Sequence, residues 1–201
     1  GNITRAEVAT IFFRLLNDDV REENLSKSNS FTDTKKDAWY NTAVSTLSDM
    51  GILRGYEDGS FCPNANITRA EFAAIASRFD ESDVENLSTL TDIDGHWAEN
   101  DISHAATLGW ISGYPDGTFG PNKAITRAET MSLVNRVLKR LPEKESDLLS
   151  TMTVWPDCAS SAWYYLAVQE ATNSHNYERK QDGVHEKWSS LRQSPDWSKY
   201  E

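Results

Sequence analysis

Apolar side chains recur at helical spacing along the chain, with the polar positions between them marking where each stripe starts and stops. Val8, Ile11, Phe12 and Leu15 form one stripe and Phe72, Ile75, Ala76 and Phe79 a second; Met131, Val134, Val137, Leu138 and Leu141 form a third. Residues three and four apart share a helix face, so each stripe predicts an amphipathic helix buried on that side. Three further helices are predicted where a Trp opens a run of small apolar residues: Trp39 before Ala43-Val44, Trp97 before Ile102 and Ala105, and Trp163 before Ala167-Val168. The first two end at Gly51 and Gly109, glycine being the residue that most readily takes the left-handed cap conformation. The three Trp rings are expected to pack, with an edge lining a groove.

The two kinds of helix alternate because the sequence repeats. Gly55 to Glu71 aligns without a gap on Gly113 to Glu129, with twelve of seventeen positions identical, and Ile-Thr-Arg-Ala-Glu stands a third time at Ile3 to Glu7. The Trp helices share a lead-in of their own, an Asp five or six residues upstream: Asp33, Asp92 and Asp157. One full unit therefore reads Asp, Trp helix, Gly, a Gly-Tyr-x-Asp-Gly turn and a Thr-Arg-Ala-Glu helix. Internal repetition of this kind fixes the organisation before any residue-level reading. The chain is cut out of phase with the unit: 1–16 is a second half, 31–79 and 92–140 are complete, and 155–201 is a first half plus a polar, Trp-bearing tail. Three helices of each kind suffice for a mainly α, pseudo-threefold body. The acidic, Ser/Asn-rich stretches 17–30, 80–90 and 142–153 read as solvated linkers.

Composition narrows the partners. Twenty Lys and Arg against thirty-one Asp and Glu give a net charge of −11. A field of that sign repels nucleic acid and anionic membranes, and no apolar run approaches the roughly 20 residues of a membrane span. No nucleic-acid partner and no membrane insertion are expected, and an anionic ligand needs a local cluster of donors. Cys62 and Cys158 have no metal-like spacing. The four histidines show no HExxH pattern, and nucleophile-elbow and phosphate-loop motifs are missing from the sequence. His175 and His185, near Glu178 and Glu186, read as surface residues. No catalytic residue, metal or cofactor is expected.

The repeated motif carries the candidate chemistry. Thr4/Glu7, Thr68/Glu71 and Thr126/Glu129 fit a capping box, in which Thr and Glu satisfy each other's backbone amides. That explains Thr and Glu but not Arg5, Arg69 and Arg127, which hold the first helical position, where the dipole disfavours a cation. A guanidinium beside free helix-start amides suits a carboxylate ligand; the alternative is a bridge to a neighbouring acid such as Asp58 or Asp116. Pro115, Asp116 and Gly117 suit a type I turn that returns Phe119 to the core. Tyr56 and Tyr114 serve either as sugar-stacking faces or as packed turn anchors. Arg14, Arg78 and Arg136 sit near helix C-termini, where the dipole alone accounts for them.

Taken together, Trp97, Gly109, Gly113-Tyr-Pro-Asp-Gly-Thr-Phe and Ile-Thr-Arg-Ala-Glu129 resemble the S-layer homology family over roughly residues 1–173. The resemblance implies three repeats packed around a central three-helix bundle, with grooves between them that bind an anionic, commonly pyruvylated, secondary cell-wall polysaccharide and so anchor a larger bacterial surface protein. It implies that Arg5, Arg69 and Arg127 meet the acid, with Asp58, Gly59, Asp116, Gly117, Tyr56, Tyr114, Trp39 and Trp97 around them. The last half-repeat departs from the pattern, lacking both the Asp-Gly-Thr-Phe turn and the following Thr-Arg-Ala-Glu. The competing expectation is a structural or protein-docking module without glycan binding.

Overall fold

The structure, a computed structural model, describes residues 1–80, 82, 84, 85 and 88–200. It is mainly helical. The α-helices are α1 (Arg5–Leu15), α2 (Asp18–Glu23), α3 (Asn41–Asp49), α4 (Arg69–Ser77), α5 (Glu99–Thr107), α6 (Arg127–Val137) and α7 (Tyr165–Thr172). Strands β1 (His175–Arg179) and β2 (Glu186–Leu191) pair antiparallel, with an irregularity in register after Asn176. The chain divides into two compact units, residues 1–125 with the C-terminal residues from Trp197, and residues 126–196.

In the first unit α1 packs on α3 and α4 on α5; in the second α6 packs on α7. Each pair joins the second half of one sequence repeat to the first half of the next. The starts of α1, α4 and α6 are closed by the capping boxes: each Thr hydroxyl accepts from the Glu amide at 3.2–3.3 Å, and each Glu carboxylate accepts from the Thr amide at 2.8 Å. The ends of α3 and α5 turn through Gly51 and Gly109, at φ of +72° and +71°. There the amide two residues past the cap returns to the helix, Ile52 to the Leu47 carbonyl and Trp110 to that of Ala105, the double closure that a left-handed residue allows.

The isoleucines before the Thr-Arg-Ala-Glu motifs organise the first unit. The Ile67 amide donates to the Ile3 carbonyl (3.1 Å), that of Ile125 to Ile67 (3.0 Å) and that of Ile3 to Ile125 (3.4 Å), closing a ring of backbone bonds. All three side chains are buried, and the bridges Thr4–Asn66 and Thr68–Ala124 flank the ring. Phe12 meets Phe72 and Phe79 at ring distances of 5.3 and 5.1 Å. In α6 the buried apolar residues are Leu133 and Val134, whereas Leu138 of the expected stripe is 42% exposed.

The turn and the Asp lead-in form one device. The Tyr56 amide donates to the Ser60 carbonyl and its carbonyl accepts from the Gly59 amide, while Asp58 accepts from the Ser60 amide and hydroxyl at 2.9 and 2.6 Å. Upstream, Asp33 grips the next two amides, Phe61 and Cys62, each at 2.8 Å, as Asp92 does Phe119 and Gly120 at 2.6 and 2.8 Å. Gly55 is obligatory: a β-carbon there would lie 2.5 Å from both the Phe31 ring and the Ser60 carbonyl oxygen. Cys62 occupies the left-handed region (φ 55°) that its counterpart Gly120 fills without strain. Cys62→Gly is therefore expected to stabilise the fold by about 0.5–1 kcal/mol, strain relief outweighing the extra chain entropy, as read by urea denaturation.

Two of the expected linkers are structured. Segment 17–30 contains α2, whose Arg21 is buried and bonded to the Leu16 carbonyl and Tyr200 hydroxyl, with the Trp197 ring at 5.0 Å. Segment 142–153 contains a short 3-10 helix (Glu145–Asp147), and its buried Asp147 accepts from Lys180 Nζ at 2.6 Å. Part of the linker expected over 80–90 lies outside the described residues. The tail is not a loose polar end either, since it forms the β1–β2 hairpin with Trp188 buried. Both thiols are free, and burial pushes that of Cys158 up.

Candidate functional site

The motif arginines are clips between successive repeats. Arg5 and Arg69 are buried, at 5% and 8% exposure. The Arg5 Nε donates to the Phe61 carbonyl at 2.8 Å, Nη2 to the Arg54 carbonyl at 3.0 Å and Nη1 to Glu71 at 2.6 Å. Arg69 repeats this pattern one unit on, with Nε to Phe119 at 2.8 Å and Nη2 to Ser112 at 3.2 Å. Each guanidinium also stands over two rings, Tyr56 and Phe61 for Arg5 and Tyr114 and Phe119 for Arg69, at 4.5–4.9 Å. Arg127, by contrast, is exposed. The buried form of the clip is thus seen at Arg5 and Arg69, and the sequence after α6 carries no matching turn.

Two sequence expectations change here. The helix-start amides are not free: Arg5 and Ala6 donate to the Ala65 and Pro63 carbonyls, and Arg69 and Ala70 to those of Lys123 and Pro121. The partner of Arg5 is also not Asp58 but Glu71, the capping glutamate of the next motif. Its Oε2 closes the cap while its Oε1 takes Arg5 and the Tyr56 hydroxyl (2.7 Å). Burial and that bond to Glu71 push the Tyr56 phenol up to about 12. Asp58 and Asp116 are held below the usual carboxylate range by the hydroxyls and amides of Ser60 and Thr118.

Beside the Arg5 clip lies an open groove of about 1150 Å³ within the first unit. It brings together four of the expected residues, Arg5, Tyr56, Asp58 and Trp97, and adds Arg54, Arg78 and Asp101. Tyr56 and Trp97 are 44% and 63% exposed. Trp39 and Trp163, 48% and 70% exposed, are likewise not packed. Each meets the following Tyr edge-on, and helices α3, α5 and α7 begin two residues later. Inside α3 and α5 small residues, Ala43 and Ala105, fill the core, and in α7 Tyr165 does, so the Trp rings stay in solvent. Trp39 is not among the groove's lining residues. Tyr114 lies under Arg69 at 4.9 Å as Tyr56 lies under Arg5, with Asp116 and Gly117 in the turn that follows it, but Lys123 stands 4.5 Å over the Tyr114 ring.

The cluster most resembling a metal centre among the described residues is in the second unit, where ligand atoms of Glu170, His175 and Glu186 lie within 4.8 Å of one another. Arg140 already engages both carboxylates, Glu170 at 3.0 Å and Glu186 at 2.8 Å. A divalent cation would add charge to a set that this guanidinium already compensates, so the arrangement is a buried ion cluster. It corrects the reading of His175 as a surface residue.

The S-layer homology domain matches residues 30–73 and 89–131. The cellulosome-anchoring protein of Acetivibrio thermocellus is 37% identical over 189 residues, 91% of this chain and 41% of that protein. Cell surface glycoprotein 1 of the same organism is 37% identical over 188 residues, 88% of this chain and 8% of that protein. The amylopullulanase of Thermoanaerobacterium thermosulfurigenes is 35% identical over 147 residues, 69% of this chain and 8% of that protein. The chain thus spans less than half the length of these relatives. The chain carries two repeats of the S-layer homology domain family. Domains of this family are non-catalytic anchoring modules that attach to cell-wall polymers within larger surface proteins, which places this chain at a bacterial cell surface or cell wall. No helix among the described residues is long and apolar enough to cross a membrane.

Proposed function

We propose that the chain anchors a larger surface protein by binding an anionic, pyruvylated secondary cell-wall polysaccharide in grooves such as the one beside Arg5, and that it catalyses nothing itself. The observation that carries this reading is the open groove, with a guanidinium in its lining and two exposed aromatic residues, Tyr56 and Trp97, beside it. A sugar ring stacks its apolar face on an aromatic face and presents its hydroxyls and acid to polar groups around it. Arg5 spends one N–H on each of its three nitrogens inside the protein. That leaves a further N–H on each terminal nitrogen for a ligand. Arg69 and Arg127, with Asp116, Gly117 and Tyr114, belong to the same proposal as the parts of further grooves. So do the complete repeats at 31–79 and 92–140 and their pseudo-threefold assembly, which the closed ring of Ile3, Ile67 and Ile125 supports.

The chain is expected to sediment with wall sacculi and to be released when their non-peptidoglycan polymer is extracted. Trp97→Ala, a change on the surface, should weaken retention by about 1 kcal/mol through loss of ring contact. Equal binding to extracted sacculi, or capture by a wall-free protein instead, would favour the docking role over the glycan role.

A further inference from the structure

Among the groove's cations, Arg5 is an indifferent charge for a ligand. Glu71 holds it at 2.6 Å, so the pair offers hydrogen bonds but little net field. Arg54 is different. It is exposed, lines the groove, and its guanidinium makes no hydrogen bond or ion pair with a described residue. A second arginine, Arg78, lines the same groove and donates through Nη1 to the Ile52 carbonyl at 2.7 Å, two residues from Arg54. Burial and the neighbouring charge of Arg54 hold the Arg78 guanidinium below its usual value, against the pull of Asp101. Asp101 is itself engaged by the Ser77 hydroxyl at 2.6 Å. Arg54 and Arg78 therefore put two like charges in one cleft, whose lining also carries Glu57 and Asp58.

We infer that Arg54, backed by Arg78, is the anion subsite of this groove, and that it selects the carboxylate of an acidic sugar substituent while the Arg5–Glu71 pair serves as a neutral hydrogen-bonding platform. This inference rests on the glycan-binding reading above. The physics is a difference in compensation. An ion paired at short range presents a dipole to the ligand, whereas an uncompensated guanidinium presents a full charge and a planar fork matched to a carboxylate. The second repeat has Ser112 where the first has Arg54. The subsite thus belongs to one groove, which makes the grooves unequal in their demand for acid.

The test uses the full chain, Arg54→Ser (the residue found in the second repeat) and Arg78→Gln. The probes are purified pyruvylated wall polysaccharide and the same polymer after mild acid removal of its pyruvyl ketals. Both positions lie at the protein surface or a helix end, and circular dichroism checks that the variants fold. Wild-type chain should prefer the pyruvylated polymer. Arg54→Ser should lose about tenfold in affinity for it, with a flatter salt dependence and unchanged binding to the stripped polymer, and Arg78→Gln should lose less. If wild type discriminates between the polymers and Arg54→Ser discriminates equally well, the subsite is overturned and the glycan reading stands. If wild type binds neither polymer, the glycan reading falls and takes the subsite with it.

Discussion

Arg5→Ala should lower the stability of the first unit by about 3 kcal/mol, although it removes a residue whose interest is in binding. The side chain is 6% exposed and its partner Glu71 14%, so the ion pair is largely out of water. Truncation strands the Phe61 and Arg54 carbonyls and leaves Glu71 without its cation, and removing one partner of a buried pair costs more than the pair was worth. The loss stays near the low end of that range because Thr68 and the Tyr56 hydroxyl still donate to Glu71. Arg5→Lys should recover little, since a single ammonium cannot span three acceptors in a fixed fork. Arg127→Ala, at an exposed position, should cost less than Arg5→Ala. Urea denaturation of the three variants checks the set. A loss below about 1 kcal/mol for Arg5→Ala would mean that the buried clip contributes no more than a surface ion pair.

The contrast between Arg5 and Arg127 marks how far the sequence could be read. Helical spacing, capping boxes and cap glycines are local signals, and the elements they predict are present, because each rests on contacts within a few residues. The repeat also located the turn and the motif arginine. The partner of Arg5 could not be read locally, because Glu71 lies one full repeat away and already has a complete explanation as a cap. The spacing of the repeat was the available signal: the motif that supplies Arg5 supplies Glu71 again 64 positions after Glu7. Arg54 was harder to find, since it is the variable residue before an invariant-looking Gly-Tyr and becomes distinctive only when Arg78 is seen in the same groove. The Trp rings misled for a physical reason. Apolar bulk argues for burial in general, but behind Trp39 and Trp97 the alanines Ala43 and Ala105 take the core positions. The hairpin was missed because its sequence is polar, and its stability comes from ions rather than from an apolar stripe.

Glu186→Ala should loosen that hairpin, at a cost of about 1–3 kcal/mol to the second unit, because it strips the partly exposed Arg140 guanidinium of one of its two carboxylates. Glu186 is fully buried and Glu170 nearly so. Arg140 bridges them, the Trp188 indole donates to Glu170 at 2.8 Å, and the His175 ring stacks on Trp188 at 3.9 Å. Tyr177 covers Arg140 at 4.0 Å, and Arg179 stands 4.0 Å from Glu186. The His175 Nδ1 donates to the Asn173 carbonyl at 2.6 Å, leaving Nε2 between Arg140 Nη2 at 2.5 Å and Glu170 at 3.1 Å. A neutral ring would accept from Arg140, whereas an imidazolium donates to Glu170. The second state makes the sum of Arg140, His175, Glu170 and Glu186 neutral, and burial favours neutrality. Burial pushes the His175 imidazole down, but its bonds to Glu170 and the Asn173 carbonyl outweigh this and hold it above its usual value. Burial likewise pushes Glu170 up, and its bonds from His175 and Trp188 bring it below. A raised histidine contributes stability that is complete below the unfolded value of about 6.5 and lost as pH climbs through the folded one. A lowered glutamate contributes stability that is present above about 4.5 and lost as pH drops through its folded value. Glu186 works against that acid-side gain, its burial and the Glu170 charge raising it despite Arg140. Hydrogen-exchange protection of the β1–β2 amides should therefore be greater near pH 6 than near pH 8, and His175→Gln should flatten the difference. Protection that rises from pH 6 to pH 8 would mean that the ring is neutral in the fold and that Arg140, not Glu170, is its true partner.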